Sequence, residues 1–147
     1  MGERVLFYSE HDPLSNFYVR VFVWQGKEWR SAEHAYQAAK FFNTDPEIAE
    51  AIRTALTSAE AKHISKTHRA RRQQDWTAKK LSIMEDILRT MLVQDDSLRA
   101  LLISTGESEL VEDSPEDGYW GRGPDGQGQN RLGRIWMKLR GELMNEA

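Results

Sequence analysis

Two places in this 147-residue sequence gather residue types that could do chemistry. The first is Glu33, Gln37 and Lys40, spaced i, i+4 and i+7, so that a helix would stack a carboxylate, an amide and a cation on one face. Glu33 falls in the first turn, where the helix dipole keeps a carboxylate ionised. Such a stripe is either a solvated face or one wall of a cleft. The second place is the run from Asp117 to Gly133, which holds six of the ten glycines. A run so rich in glycine is neither helix nor regular strand, because ordering each glycine costs backbone entropy. It makes a loop with open φ angles and unobstructed N–H groups, and a helix follows it, which is the arrangement of an anion cradle. Asp117, Trp120, Asp125 and Asn130 add stacking and hydrogen-bonding groups to that loop.

Lys80 breaks a local rule. It lies four residues after Trp76 and four before Met84, on a stripe that otherwise reads as core. Either its stem is buried and its ammonium reaches the rim, or it lines a pocket and holds a phosphate or hydroxyl. Between Lys62 and Lys80 seven Lys/Arg meet one acid, Asp75. This local cluster suits a phosphorylated ligand better than a long duplex, and a solvated helix face is the competing explanation.

The elements that must position these groups can be read from caps and periodicity. Val5 to Tyr8 and Tyr18 to Trp24 read as strands, the latter turning through Gln25-Gly26-Lys27 into a hairpin with Glu28 to Arg30. Ser31 caps a helix running to about Phe42, Thr44-Asp-Pro-Glu47 starts a second, and Thr57-Ser-Ala-Glu60 a third. The strongest helix spans about Asp75 to Val93, with a 3.6-residue period in Trp76, Ile83, Met84, Ile87, Leu88, Met91 and Leu92. Asp95 or Asp96 caps a short helix, Leu110 to Glu112 reads as a strand, and a last amphipathic helix begins near Leu132. The fold class is α+β: a mostly helical single domain over 1–147 with a small N-terminal antiparallel sheet.

The absence of cysteine removes disulfides, thiolate nucleophiles and Cys-ligated zinc. The four histidines include no i, i+4 pair, so no metal site is expected. The N-terminus shows no signal-peptide core, no apolar run reaches membrane-spanning length, and the expected setting is cytoplasmic. The net charge of −3 carries no global nucleic-acid signature. The glycine run imitates a dinucleotide fingerprint only in composition, since no βαβ unit can follow it.

Four segments together carry a family resemblance: Leu14-Ser-Asn-Phe17, Trp29-Arg-Ser-Ala-Glu-His-Ala-Tyr-Gln-Ala-Ala-Lys40, Trp76-x3-Lys80-x3-Met84, and Asp117-Gly-Tyr-Trp-Gly-x-Gly-x2-Gly-x-Gly-x-Asn130-x-Leu-Gly133. In that order they resemble the NADAR, or YbiA-like, family across nearly the whole chain. One departure is that the family commonly has Pro-Ser before Glu-His, where this chain has Ser31-Ala32. The resemblance implies an N-glycosidase that cleaves a ribosyl C1′–N bond, chemistry that requires no cofactor. One branch acts on ribosylamino-pyrimidine phosphates of the riboflavin pathway. Another is linked to ADP-ribose, including its removal from guanine in DNA, and a non-catalytic NAD or ADP-ribose sensor is a further alternative. Carried over residue by residue, it implies Glu33 as the catalytic carboxylate, Asp117 as its alternative or partner, and Lys40 beside them. Asn16, Trp76, Lys80, Trp120, Gly121, Gly123, Gly126, Gly128 and Asn130 are the expected substrate-binding residues. The expected partner is a small phosphorylated ribosyl substrate, ADP-ribosylated DNA is the other candidate, and no membrane is involved.

Overall fold

A computed structural model describes residues 3–146. Among the described residues, six α-helices and two two-stranded sheets give the expected α+β, mostly helical class. The contacts divide the chain into two compact units, one spanning Asn16–Met91 and the other formed by the chain up to Ser15 and from Leu92 onwards. No helix among the described residues is long and apolar enough to cross a membrane.

In the 16–91 unit a hairpin pairs β2 (Phe22–Trp24) antiparallel with β3 (Lys27–Trp29). Gln25 and Gly26 both take positive φ, 55° and 75°, the geometry a two-residue hairpin turn requires. Inward-facing Trp24 and Trp29 pack edge to face at 5.9 Å. Helix α1 covers Ala32–Ala39, capped by the Ser31 hydroxyl, which accepts from the His34 N–H. Helix α1 ends short of the expected Phe42, and Gln73 satisfies carbonyls at its end: the Gln73 N–H donates to the Lys40 carbonyl at 2.9 Å and its side-chain Nε2 donates to the Ala39 carbonyl at 3.0 Å. Asp45, rather than Thr44, caps α2 (Pro46–Arg53), placing Pro46 at the first helical position. Thr57 caps α3 (Ser58–Thr67), a turn of 3-10 helix follows at Arg69–Arg71, and α4 begins at Trp76 and runs to Gln94. Met84, Ile87, Leu88 and Met91 of α4 are buried, as the periodicity requires.

The other unit is built on β1 (Arg4–Phe7), which pairs in parallel with β4 (Glu109–Glu112) in the register Val5 to Leu110 and Phe7 to Glu112. The expected N-terminal antiparallel sheet is thus met by the hairpin alone, and the first strand joins a partner over a hundred residues away. Local turn signals cannot report such a pairing. Asp95 caps α5 (Asp96–Ser104), and α6 spans Arg131–Glu146 with Leu132, Ile135, Trp136 and Leu139 buried. Helix α6 packs directly on β4: a Cβ at Gly133 would lie 2.1 Å from the Leu110 carbonyl oxygen. Only glycine permits that approach.

Candidate active site

The polar stripe of α1 is not a solvated face. Glu33, Gln37 and Lys40 retain 7%, 5% and 8% of their exposure, and every residue of α1 is buried. Burying a carboxylate, an amide and an ammonium is costly unless each is paired or has work to do. Part of the cost is met locally. Gln37 Nε2 donates to Glu33 Oε2 at 2.7 Å, and the Glu33 N–H donates to the Asn16 carbonyl at 3.0 Å. Asn16 Nδ2 donates to Met84 Sδ at 3.4 Å. The acceptor ends of both amides, Asn16 Oδ1 and Gln37 Oε1, are buried without a hydrogen-bond partner among the described residues. A carboxylate and two orphaned carbonyl oxygens therefore gather around the start of α1, an acceptor set suited to hydroxyl or amine donors.

At the other end of α1 the Lys40 ammonium lies 4.9 Å over the Tyr36 ring and 5.8 Å from that of Trp76, and the two rings stand 5.2 Å apart. Burial pulls Lys40 down to about 8, the Arg72 charge adds to that, Glu33 opposes it, and Lys80 and Lys62 contribute further repulsion. Asn16, Glu33, Lys40, Trp76 and Lys80 thus all belong to the 16–91 unit, and Lys80 is half-buried with its charge acting on Lys40.

His34, which the sequence did not single out, supports the start of α1. Its Nε2 lies 3.0 Å from the Ala55 carbonyl and its Nδ1 2.7 Å from the Ser31 hydroxyl, which in turn accepts from Ser58 Oγ at 2.9 Å. The carbonyl fixes the proton on Nε2, and burial holds the ring below its ordinary pKa, so it sits there neutral.

Asp117, Trp120, Asn130 and the glycines belong to the other unit, and there the expectation of open amides meets a loop that is closed on itself. Asp117 Oδ1 accepts the Tyr119 and Trp120 N–H groups, each at 2.8 Å. Gly121, Gly126 and Gly128 donate their N–H groups to the carbonyls of Asp117, Gly123 and Arg122. The glycines answer steric demands instead. A Cβ on Gly121 would lie 2.8 Å from the Glu112 carbonyl oxygen, and one on Gly128 would lie 2.6 Å from that of Gly121. Gly123 and Gly126 take φ of 69° and 73°. Asn130, itself at φ 50°, uses its whole side chain on β4, accepting from the Glu112 N–H and donating to the Leu110 carbonyl, both at 2.9 Å. Trp120 is half-buried and packs edge to face against Tyr119 at 4.8 Å.

This is a small α+β chain with a buried carboxylate, amide and lysine along one short helix and a self-bonded glycine loop ahead of its last helix. The NADAR domain family model matches residues 6–144, and the chain belongs to that family. It is 36% identical over 143 residues to N-glycosidase YbiA of Escherichia coli, covering 95% of this chain and 88% of that protein. It is 37% identical over 150 residues to a riboflavin biosynthesis protein of Vibrio vulnificus, of which it spans 40% of the length. The solved NMR structure of E. coli YbiA is similar with a TM-score of 0.87 at 35% identity, covering 99% of this chain and 88% of that one.

Proposed function

We propose that this protein is an N-glycosidase that hydrolyses the ribosyl C1′–N bond of a phosphorylated ribosylamino-pyrimidine. The observation that carries the reading is the buried acceptor set around Glu33, with Lys40 three residues beyond Gln37. The names of the relatives, N-glycosidases and a riboflavin biosynthesis protein, support it.

Cleavage of a ribosyl C–N bond passes through an oxocarbenium-like state, by analogy with O-glycosides. Positive charge builds on C1′ as the bond to nitrogen lengthens. Glu33, held in place by Gln37 Nε2, stabilises that charge and accepts a proton from the attacking water. Water oxygen bonds to C1′, the electron pair of the broken bond leaves on the pyrimidine amine, and that nitrogen takes up a proton. The products are free ribose phosphate and the aminopyrimidine. Asn16 Oδ1 and Gln37 Oε1 accept from ribose hydroxyls, and Trp76 and Tyr36 offer an aromatic surface beside Lys40. Glu33 is favoured over Asp117 as the reacting carboxylate because Asp117 Oδ1 already accepts two backbone N–H groups.

A second reading, removal of ADP-ribose from guanine in DNA, is supported by Lys62 and Arg72 adding positive charge near Lys40. Incubation with ribosylamino-pyrimidine phosphate and with ADP-ribosylated guanosine in DNA, followed by mass spectrometry of the released base, separates the two. The first reading expects release from the small substrate with weak salt dependence. Release from DNA alone, falling steeply with salt, supports the second.

A further inference from the structure

The loop expected to hold phosphate has engaged amides at Gly121, Gly126 and Gly128, which raises the question of what does receive an anionic group. The 16–91 unit supplies an answer in a residue outside the expected site. Arg72 follows the 3-10 turn Arg69–Arg71, and its neighbour Gln73 is fastened to the end of α1 by two hydrogen bonds, to the carbonyls of Ala39 and Lys40. That clamp ties the segment carrying Arg72 to the end of α1, and the Arg72 charge acts on the Lys40 ammonium. Arg72 Nη2 donates to Ser65 Oγ at 2.9 Å, yet its Nε is buried with no hydrogen-bond partner among the described residues. A buried, unmatched donor on a permanently charged group is expensive.

The charges around it are mainly positive. Arg72, Lys80 and Lys62 all act on Lys40 as like charges, and the Glu33 carboxylate opposes them. Arg69 presses on Arg72 in the same sense. Lys62 is exposed and its ammonium lies 5.8 Å from the Phe17 ring. This group of cations, with a planar guanidinium presenting an Nε–H that has no partner among the described residues, forms a receptor that a doubly charged, oxygen-rich group would complete.

We propose that Arg72, flanked by Lys40 and Lys62, binds the phosphate of the ribosyl substrate, and that Gln73 positions it by clamping its segment to the end of α1. The proposal rests on the N-glycosidase reading for the identity of the substrate. Glu33 at the start of α1 then faces the reacting end of the ribosyl group, and Arg72 at the far end of α1 faces its phosphate. Phosphate recognition is thereby assigned to side chains of the 16–91 unit and not to glycine-loop amides.

Calorimetric titration of the purified protein with ribose 5-phosphate and with ribose tests this, alongside turnover of the ribosylamino-pyrimidine with and without its phosphate. Wild type is expected to bind ribose 5-phosphate at least tenfold tighter than ribose, on the order of what a charge-assisted contact contributes. Arg72→Gln is expected to weaken ribose 5-phosphate roughly 10- to 100-fold and to leave ribose unchanged. Arg72→Lys keeps a cation and a donor for Ser65, and is expected to recover part of the loss in a protein that melts like wild type. A wild type without phosphate preference, or an Arg72→Lys variant that loses ribose and ribose 5-phosphate equally, overturns the assignment. Phosphate preference without turnover of either ribosylamine contradicts the glycosidase reading and leaves Arg72 in place. Turnover indifferent to the phosphate does the reverse.

Discussion

The glycine run and the α1 stripe are opposites in how they treat their polar groups. The run looks richer in the sequence, with glycines, Asp117 and Asn130 in one stretch, yet the structure uses these groups on the protein itself. Asp117 caps its own turn, Asn130 stands in for a strand residue against β4, and Gly121 and Gly128 allow backbones to touch. The α1 stripe looks ordinary, yet Gln37 Oε1 on it, and Asn16 Oδ1 and Arg72 Nε in the same 16–91 unit, are buried without a hydrogen-bond partner among the described residues. A motif dense in special residues can be a scaffold. Unmatched polar atoms inside a well-packed helix are the stronger pointer to a ligand.

This contrast sets the expected effects. Glu33→Gln keeps the size of the side chain and removes the charge, so turnover should fall by about 10²- to 10⁴-fold, the worth of a positioned acid–base group. Its melting temperature should stay close to wild type, and a variant that turns over at the wild-type rate excludes Glu33 from the chemistry. Gly128→Ala acts on the scaffold: its Cβ meets three backbone atoms of Gly121 and Arg122 at 2.6 to 2.8 Å, so stability should drop by about 1–3 kcal/mol as in other overpacked sites. The protein that remains folded should retain its kcat, and a lost kcat at unchanged stability would return the run to the reaction.

The pH dependence follows from Lys40. In the free protein burial and Arg72 bring it to about 8 from 10.5. Below that value its ammonium strengthens binding of ribose 5-phosphate; above it the charge is gone. Affinity should therefore fall as the pH rises through about 8, and titration of Lys40→Met should show no such fall. Folding responds in the opposite direction. The unfolded chain keeps the lysine proton up to about 10.5, so between 8 and 10.5 it binds more protons than the native protein, and this residue's contribution to stability rises with pH. The smallest effect belongs to Lys80→Met. A half-buried charge at the edge of the cluster is worth roughly a 2- to 5-fold change in ribose 5-phosphate affinity, with little change in melting temperature. An unchanged affinity would make Lys80 a snorkelling side chain.

Much of this was legible in the chain. Ser31, Thr57 and Asp95 announced their helices by type and position, and the long period from Trp76 to Leu92 described the buried face of α4. Glu33, Lys40 and Lys80 stood out as charges at helical spacing. What could not be read depends on contacts distant in sequence: the parallel pairing of β1 with β4, the Gln73 clamp that ties the Arg72 segment to the end of α1, and the bond from Asn16 Nδ2 to Met84 that leaves Asn16 Oδ1 without a partner among the described residues. One signal was available and went unread. Ala32, Ala35, Ala38 and Ala39 surround the polar stripe of α1, and so many small residues mark a helix packed on every side, which leaves Gln37 and Lys40 no solvent to face.

The most direct test sets the two regions against each other through their carboxylates. Pyrimidine released from the ribosylamino-pyrimidine phosphate would be measured by mass spectrometry for Glu33→Gln and Asp117→Asn side by side, each normalised to folded protein. The expected result is an inactive Glu33→Gln and an Asp117→Asn that keeps most of the turnover of its folded fraction. Wild-type release from Glu33→Gln with none from folded Asp117→Asn would contradict the account and place the chemistry on the glycine run.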